Sequence, residues 1–243
     1  MSYVLIVGAK SDIAKAIAKQ YVKNGFDLYL AAKYKDELDN FSKDLMVRSE
    51  RNIKLLEINI LDRDSHQSFY DQLQEKPIGV ICAVGYLGDQ HNAEHNFLES
   101  KKIIDTNYTG IVSLFNIIAN DFEKRKHGFM VAISSVAGDR GRKSNYIYGS
   151  AKAGLTAYLS GLRNRLFKTG VHVLTVKPGF VNTKMTRGMN LPSILTAQPD
   201  EIATAVFKAV QKKKNTIYIK PIWWLIMKII KIIPEWKFKR MDI

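Results

Sequence analysis

Residues 133–152 read ISSVAGDRGRKSNYIYGSAK. An apolar run ends in two serines, a loop with two glycines follows, and a helix then opens on tyrosines. Tyr148 and Lys152 stand four residues apart, so a helix places them on one face with adjacent side chains. An ammonium beside a phenol favours the phenolate, and a free phenol with a pKa of about 10 does little at neutral pH. Lowering it by roughly 3 units corresponds to about 4 kcal/mol of differential stabilisation, within reach of one cation in a dry cleft. Ser135 falls at the end of the predicted strand, where a hydroxyl faces the cleft above a sheet. The stretch thus predicts a positioned hydroxyl, an acid/base and a group that tunes it.

Ser135, Tyr148 and Lys152, with Ser and Tyr thirteen positions apart, resemble the Ser…Tyr-x-x-x-Lys signature of the short-chain dehydrogenases/reductases. The resemblance extends over nearly the whole chain. It implies an α/β fold: a single doubly wound Rossmann domain, with a parallel seven-stranded sheet, helices on both faces and, here, an amphipathic C-terminal tail. Residues 1–220 are read as the nucleotide-binding catalytic domain, with a substrate loop at about 183–198, and residues 221–243 as a basic, aromatic extension. Ser134 competes with Ser135, and Tyr146 with Tyr148. Spacing favours the second of each pair, and only Tyr148 has a lysine at i+4.

Outward from this centre, Tyr3–Ala9 is an apolar run followed by Gly8-Ala9-Lys10-Ser11-Asp12-Ile13-Ala14 and an amphipathic helix to about Asn24. Such a strand–turn–helix unit sets a pyrophosphate on a helix N-terminus. Of the family's Gly-x-x-x-Gly-x-Gly only Gly8 survives; Asp12 and Ala14 replace the others. A carboxylate there repels phosphates, so Ser11 or Asp12 is expected to cap the helix with the acid turned away. Asp27–Ala32 is a second strand. It ends at Lys33 with no acid, and with Lys10 nearby it predicts NADP (as NADPH) over NAD.

Ile53–Asn59 is read as the third strand. Asn59-Ile60 stands where the family's Asp-hydrophobe pair meets adenine. Gly79–Ala83 is the fourth strand, and Ala83 and Gly85 lie where the resemblance implies close approach to the cofactor. Cys82 is expected to be buried packing. His91 and His95, placed in a loop, have the i,i+4 spacing of zinc ligands, but no third ligand is apparent and no metal site is predicted. Asn107 matches the family's asparagine, which holds a water linking the lysine to solvent. Pro178-Gly179-Phe180-Val181-Asn182-Thr183 resembles the Pro-Gly-x-x-x-Thr segment, which implies that Pro178, Gly179, Val181 and Thr183 meet the nicotinamide. Met185, Met189, Leu191 and Leu195 are expected to form the apolar inner wall of the substrate loop. The stripe Leu155, Tyr158, Leu159, Leu162 and Leu166 suits either core packing or the family's dimer interface. The resemblance implies a homodimer or homotetramer.

The net charge is +14, and residues 208–243 hold ten Lys/Arg against Glu235 and Asp242, a net of +8. No nucleic-acid-binding motif accompanies this charge, so no nucleic-acid partner is predicted. Between Pro221 and Pro234 lies IWWLIMKIIKII. Twelve residues fall short of the roughly 20 that span a bilayer as a helix. With Trp224, Lys228 and Lys231 on one face, the pattern suits a helix in the membrane interface, or one docked on its own domain.

With one cysteine, and with the apolar stretch Val4–Val7 too short for a secretory core, the expectation is a cytoplasmic protein, peripheral on the membrane's cytoplasmic face. The segments at Ala83–Gln90 and Lys177–Thr186, with the tail, are similar to a subgroup of bacterial reductases. That subgroup includes the reductase acting on a polyprenyl-phosphate-linked 2-keto-pentose. A lipid-linked carbonyl substrate is therefore expected. The alternatives are a long-chain keto-lipid or 3-oxoacyl substrate, or a nucleotide-sensing interaction protein without catalysis.

Overall fold

A computed structural model describes residues 2–188 and 190–241. Seven parallel strands form one sheet: β1 (Tyr3–Val7), β2 (Asp27–Ala32), β3 (Ile53–Glu57), β4 (Gly79–Cys82), β5 (Phe129–Ile133), β6 (His172–Pro178) and β9 (Thr216–Ile219). Their order is β3-β2-β1-β4-β5-β6-β9, the doubly wound arrangement expected from the sequence. A separate pair, β7 (Phe180–Val181) and β8 (Thr196–Ala197), brackets the segment read from the sequence as the substrate loop. Strand β1 is buried along its whole length, as a strand covered on both faces must be.

Alternation along the strands feeds two cores. Val4, Ile6, Leu28, Leu30, Val131 and Leu174 pack against α1 (Asp12–Lys23), α2 (Asp39–Ser49) and α8 (Pro199–Gln211). Leu5, Val7, Tyr29, Val80, Cys82, Met130 and Val173 face the opposite layer. That layer holds α3 (His66–Asp71), α6 (Gly110–Arg125) and α7 (Tyr146–Leu166). The α7 stripe is spent here: Leu155, Leu159, Leu162 and Leu166 are all buried in this core, whereas Tyr158 hydrogen-bonds Asn116 at the surface. Core packing therefore accounts for the stripe without a second subunit. Cys82 is buried too, and desolvation pushes its thiol up to about 11, as a packing residue requires.

The segment placed in a loop around His91 and His95 is instead the short helix α4 (Gln90–His95). Asp89 caps it, accepting from Asn92 N at 2.6 Å, and α5 (Phe97–Ile104) follows. An aspartate three residues before the first paired N–H is the helix-start signal that the sequence reading missed. The same helix supplies the absent third group: Glu94 stands with His91 and His95, their ligand atoms within 4.8 Å of one another and all three exposed.

Beyond β9 the chain turns into α9 (Ile222–Ile232) and α10 (Glu235–Phe238). Trp223 and Met227 are buried against Val136, Phe180, Leu195 and Tyr218. The outward face of α9 exposes Trp224, Leu225, Ile229 and Ile232, the last at 75%. Among the described residues no helix is long and apolar enough to cross a membrane.

Candidate active site

The C-terminal ends of β1, β4, β5 and β6 open onto a cleft of about 440 Å3. Ser135, Tyr148 and Lys152 all line it. Ser134 points elsewhere: its hydroxyl donates to Lys152 O at 3.0 Å and meets Thr156 Oγ1 at 2.9 Å, tying β5 to α7. Tyr146 is exposed and turned toward Glu94 and Gln90 of α4. Ser135 Oγ accepts from Ala137 N at 3.1 Å, which fixes its rotamer, and it hydrogen-bonds Tyr148. A more open polar hollow outside the substrate loop, lined by Asp12, Thr183 and Arg187 among others, contains none of the three.

The electrostatics differ from the expectation. Lys152 Nζ lies 5.6 Å from the centre of the Tyr148 ring and donates to Ile133 O at 3.0 Å. Burial dominates both groups. Desolvation pushes the Tyr148 phenol up to about 12, partly countered by Ser135, and the same cause pushes Lys152 down to about 8. Adjacency at i,i+4 was read correctly from the sequence. The predicted fall in the phenol's pKa is not found, because desolvation of the buried phenol dominates while the ammonium donates to Ile133 O.

Asn107 is fully buried in a single π-type turn, Asp105–Thr109, between α5 and α6. Its Nδ2 donates to Tyr86 O at 2.6 Å and Ile103 O at 2.8 Å, while Oδ1 accepts from Tyr86 N at 3.2 Å. Both amide hydrogens are therefore committed to backbone, and the side chain braces the loop after Gly85. A Cβ on Gly85 would lie 3.5 Å from Asn107 Oδ1 and 3.8 Å from Lys152 Nζ, which places the three together.

At the other end of the cleft the β1–α1 turn has the strand–turn–helix form that suits a phosphate. Gly8 has φ +80°, and a Cβ there would meet Val84 N at 2.8 Å. Ser11 caps α1, accepting from Ala14 N at 3.1 Å, so the helix N-terminus faces the cleft. The Asp12 carboxylate is turned away as expected, with a specific partner: it accepts from Lys184 N at 2.8 Å, joining this turn to the substrate loop. Lys10, Ser11, Asp12, Ile13, Ala83, Gly85, Pro178, Gly179, Val181 and Thr183 line the cleft.

Gly8, Lys33, Asn59, Ile60 and Asn107, also expected at the cofactor, are not among the residues that line the cleft. Lys33 is exposed, with its ammonium 5.2 Å from the Tyr34 ring centre. Lys10 stands over the same ring and pairs with Glu37 at 2.5 Å. Asn59 Oδ1 accepts from Leu61 N at 3.2 Å, and Ile60 is buried against Gly110.

Sequence reading missed the far wall. Trp223 lines the cleft, its Nε1 donating to Leu195 O at 2.9 Å. Met185 lines it as predicted, whereas Leu191 faces the outer hollow, Leu195 packs under Trp223, and Met189 lies outside the described residues. Asp139 accepts from Lys177 Nζ at 2.5 Å and from Tyr218 Oη at 2.7 Å, pinning the loop after Ser135 to β6 and β9. Arg140 holds the tail, donating to Ile230 O at 2.5 Å, Ile233 O at 2.6 Å and Glu235 at 2.9 Å.

A doubly wound sheet with a phosphate-type turn after β1 and a Ser–Tyr–Lys cluster beyond β5 defines a nucleotide-dependent oxidoreductase architecture. The chain belongs to the short-chain dehydrogenase family, whose sequence model matches residues 2–192. An uncharacterized oxidoreductase of Mycobacterium tuberculosis is 34% identical over 241 residues, covering 98% of this chain and 96% of the relative. Among solved structures, the chain resembles a short-chain dehydrogenase from Sphingobium yanoikuyae in complex with NADPH. The TM-score is 0.82 at 21% identity, over 97% of each chain. It also resembles a 3-oxoacyl-[acyl-carrier protein] reductase from Brucella melitensis, with TM-score 0.79 at 20% identity over 90% of this chain and 89% of that one.

Proposed function

We propose that this oxidoreductase is an NADPH-dependent carbonyl reductase working at a membrane surface on a lipid-linked keto-sugar. The observation that carries the chemistry is the convergence of Ser135, Tyr148 and Lys152 on one cleft whose opposite end is the Ser11-capped helix. The residues present fit the cofactor: the Gly8 turn and the α1 N-terminus would hold its pyrophosphate. Lys33 and Lys10, around Tyr34, would hold the 2′-phosphate. When bound, NADPH supplies a hydride.

Ser135 donates a hydrogen bond to the substrate oxygen and polarises the carbonyl. The Tyr148 phenol passes its proton to that oxygen as general acid. A phenol pushed up to about 12 is protonated at neutral pH. It still gives its proton downhill to an alkoxide, whose conjugate acid lies near water's value of about 15.7. Lys152, mostly protonated below about 8, supplies positive charge as the phenolate forms, and Asn107 holds the neighbouring loop in place.

The membrane assignment rests on the outward face of α9. Trp224, Leu225, Ile229 and Ile232 are exposed beside Lys228 and Lys231, an interfacial composition. A second copy of the same basic face would repel it, so an anionic lipid surface is the matching partner. The apolar cleft wall of Met185, Leu87, Phe180 and Trp223 also suits a 3-oxoacyl or keto-lipid substrate, the second reading.

Titration with NADPH and NADH, followed by cofactor fluorescence, tests the first claim. Preference for NADPH, lost in Lys33→Asp, and carbonyl reduction lost in Tyr148→Phe are expected. Binding of neither nucleotide overturns the reductase reading and favours a non-catalytic role. Flotation with anionic vesicles tests the second claim: Ile229→Glu/Ile232→Glu should abolish it, and unchanged flotation rejects the membrane assignment.

A further inference from the structure

Among the described residues, six buried side-chain atoms have no hydrogen-bond partner. Two of them, Arg142 Nε and Asn145 Oδ1, belong to residues lining the reaction cleft. One is an obligate donor and the other an acceptor, three residues apart in the loop that leads into α7. Unpaired buried polar atoms are uncommon, and a pair of opposite character in one cleft points to a ligand that satisfies both.

Among the described residues Arg142 has no salt-bridge partner, and Asp139 acts on it only through space. The other contact of Arg142 is a weak one, Nη2 to Met227 Sδ at 3.2 Å. Asp139, the acid nearest in sequence, already accepts from Lys177 on one oxygen and Tyr218 on the other. Glu235 is taken by Arg140. Burial pushes the Arg142 guanidinium below its ordinary value, with Asp139 only partly opposing. A desolvated charge that is only partly compensated is costly, and an incoming anion would offset that cost. The contact with Met227 sets Arg142 at the α9 end of the cleft, whereas Lys10 and Ser11 line it beside the phosphate turn. The nucleotide phosphates and Arg142 therefore need not share an anion.

We propose that Arg142 is the anchor for an anionic group on the carbonyl substrate, a phosphate ester or a carboxylate, and that Asn145 accepts a hydrogen bond from a substrate hydroxyl. This rests on the reductase reading for the identity of the cleft. It deepens that reading by assigning the substrate class: an anionic, hydroxylated carbonyl compound whose charged group lies beside α9. Arg is suited to the task because its planar fork meets either anion with two parallel hydrogen bonds.

The test is calorimetric titration of the NADP+-saturated protein with octyl phosphate, octanoate and octanol. Saturation with NADP+ keeps the nucleotide phosphate site filled. The expected result is that at least one anion binds at least tenfold more tightly than octanol. Arg142→Met should reduce it to the octanol level, and Arg142→Lys should retain part of the difference. Preference between the two anions identifies the ester or the carboxylate. Unchanged NADPH affinity in Arg142→Met shows that the variant is folded. Equal binding of anions and octanol by the wild-type chain overturns the proposal, as does undiminished anion binding in Arg142→Met. Failure of the reductase reading is seen separately, as absence of carbonyl turnover in a protein whose anion selectivity is intact.

Discussion

The indole of Trp223 occupies the space that a side chain on Gly179 would need. A Cβ built on Gly179 would lie 2.0 Å from the ring, and the ring is itself fixed by its hydrogen bond to Leu195 O. Gly179 belongs to the turn after β6 and Trp223 to α9, so the tail helix is seated directly on the segment that closes the cleft. Gly179→Ala should displace the indole and cost about 1–3 kcal/mol through overpacking. Gly141→Ala, with nothing within 4 Å, should leave stability unchanged. Paired thermal melts check this.

The two adjacent tryptophans should separate cleanly. Trp223 is 4% exposed and Trp224 is 52% exposed. Trp223→Ala should cost about 3–5 kcal/mol and raise the substrate KM, because it removes a core side chain and part of the cleft wall. Trp224→Ala should leave the melting temperature within about a degree and weaken vesicle flotation. Equal effects of the two would contradict the orientation of α9.

Lys152 is held against its own charge. Its folded pKa of about 8 lies below the ordinary lysine value, so the unfolded chain binds more protons between those values and stability rises with pH there. Lys152→Met should therefore abolish reduction yet raise the melting temperature at pH 7 by a few degrees. In the wild-type chain the reduction rate should fall as pH rises through about 8, where the ammonium is lost. Lys152→Arg should move that fall to higher pH. Stopped-flow cofactor oxidation across pH 6–10 and melting curves at pH 7 decide both points.

Asp12 carries a negative charge beside the α1 N-terminus for the sake of its bond to Lys184 N. Asp12→Asn keeps the acceptor and removes the charge, so NADPH should bind several-fold more tightly. Ser11→Ala should cost about 1 kcal/mol by loss of the cap. Cofactor titrations and melts of the two variants distinguish a charge effect from a capping effect.

What could be read from the sequence divides by range. Ser135, Tyr148 and Lys152 were legible because a strand end and one helix turn are local, and their spacing carries the geometry. The sheet was legible because buried parallel strands are short apolar runs between helical periods. Asp12 to Lys184 spans 172 positions, and no periodicity links them. The seating of Trp223 on Gly179 and the Arg140 clasp on the tail carbonyls are equally non-local. The α7 stripe was ambiguous in sequence because core and dimer faces use the same residues. For Tyr148 the neighbour was right and the sign wrong, because the direction in which Lys152 points is decided by Ile133 O, a backbone group without a sequence signature.

The docking of α9 also bears on how the protein is handled. All seven strands of the main sheet precede residue 222, yet one wall of the cleft arrives only with Trp223 and is locked by carbonyls as late as Ile233. During synthesis the nucleotide half can fold first and the reaction chamber is completed last. A protease nick between β9 and α9 would strip Trp223 from the wall, lower stability and leave the chamber unfinished. Purity is thus a poor guide to activity, and the cleft is best assayed with residues 221–241 intact.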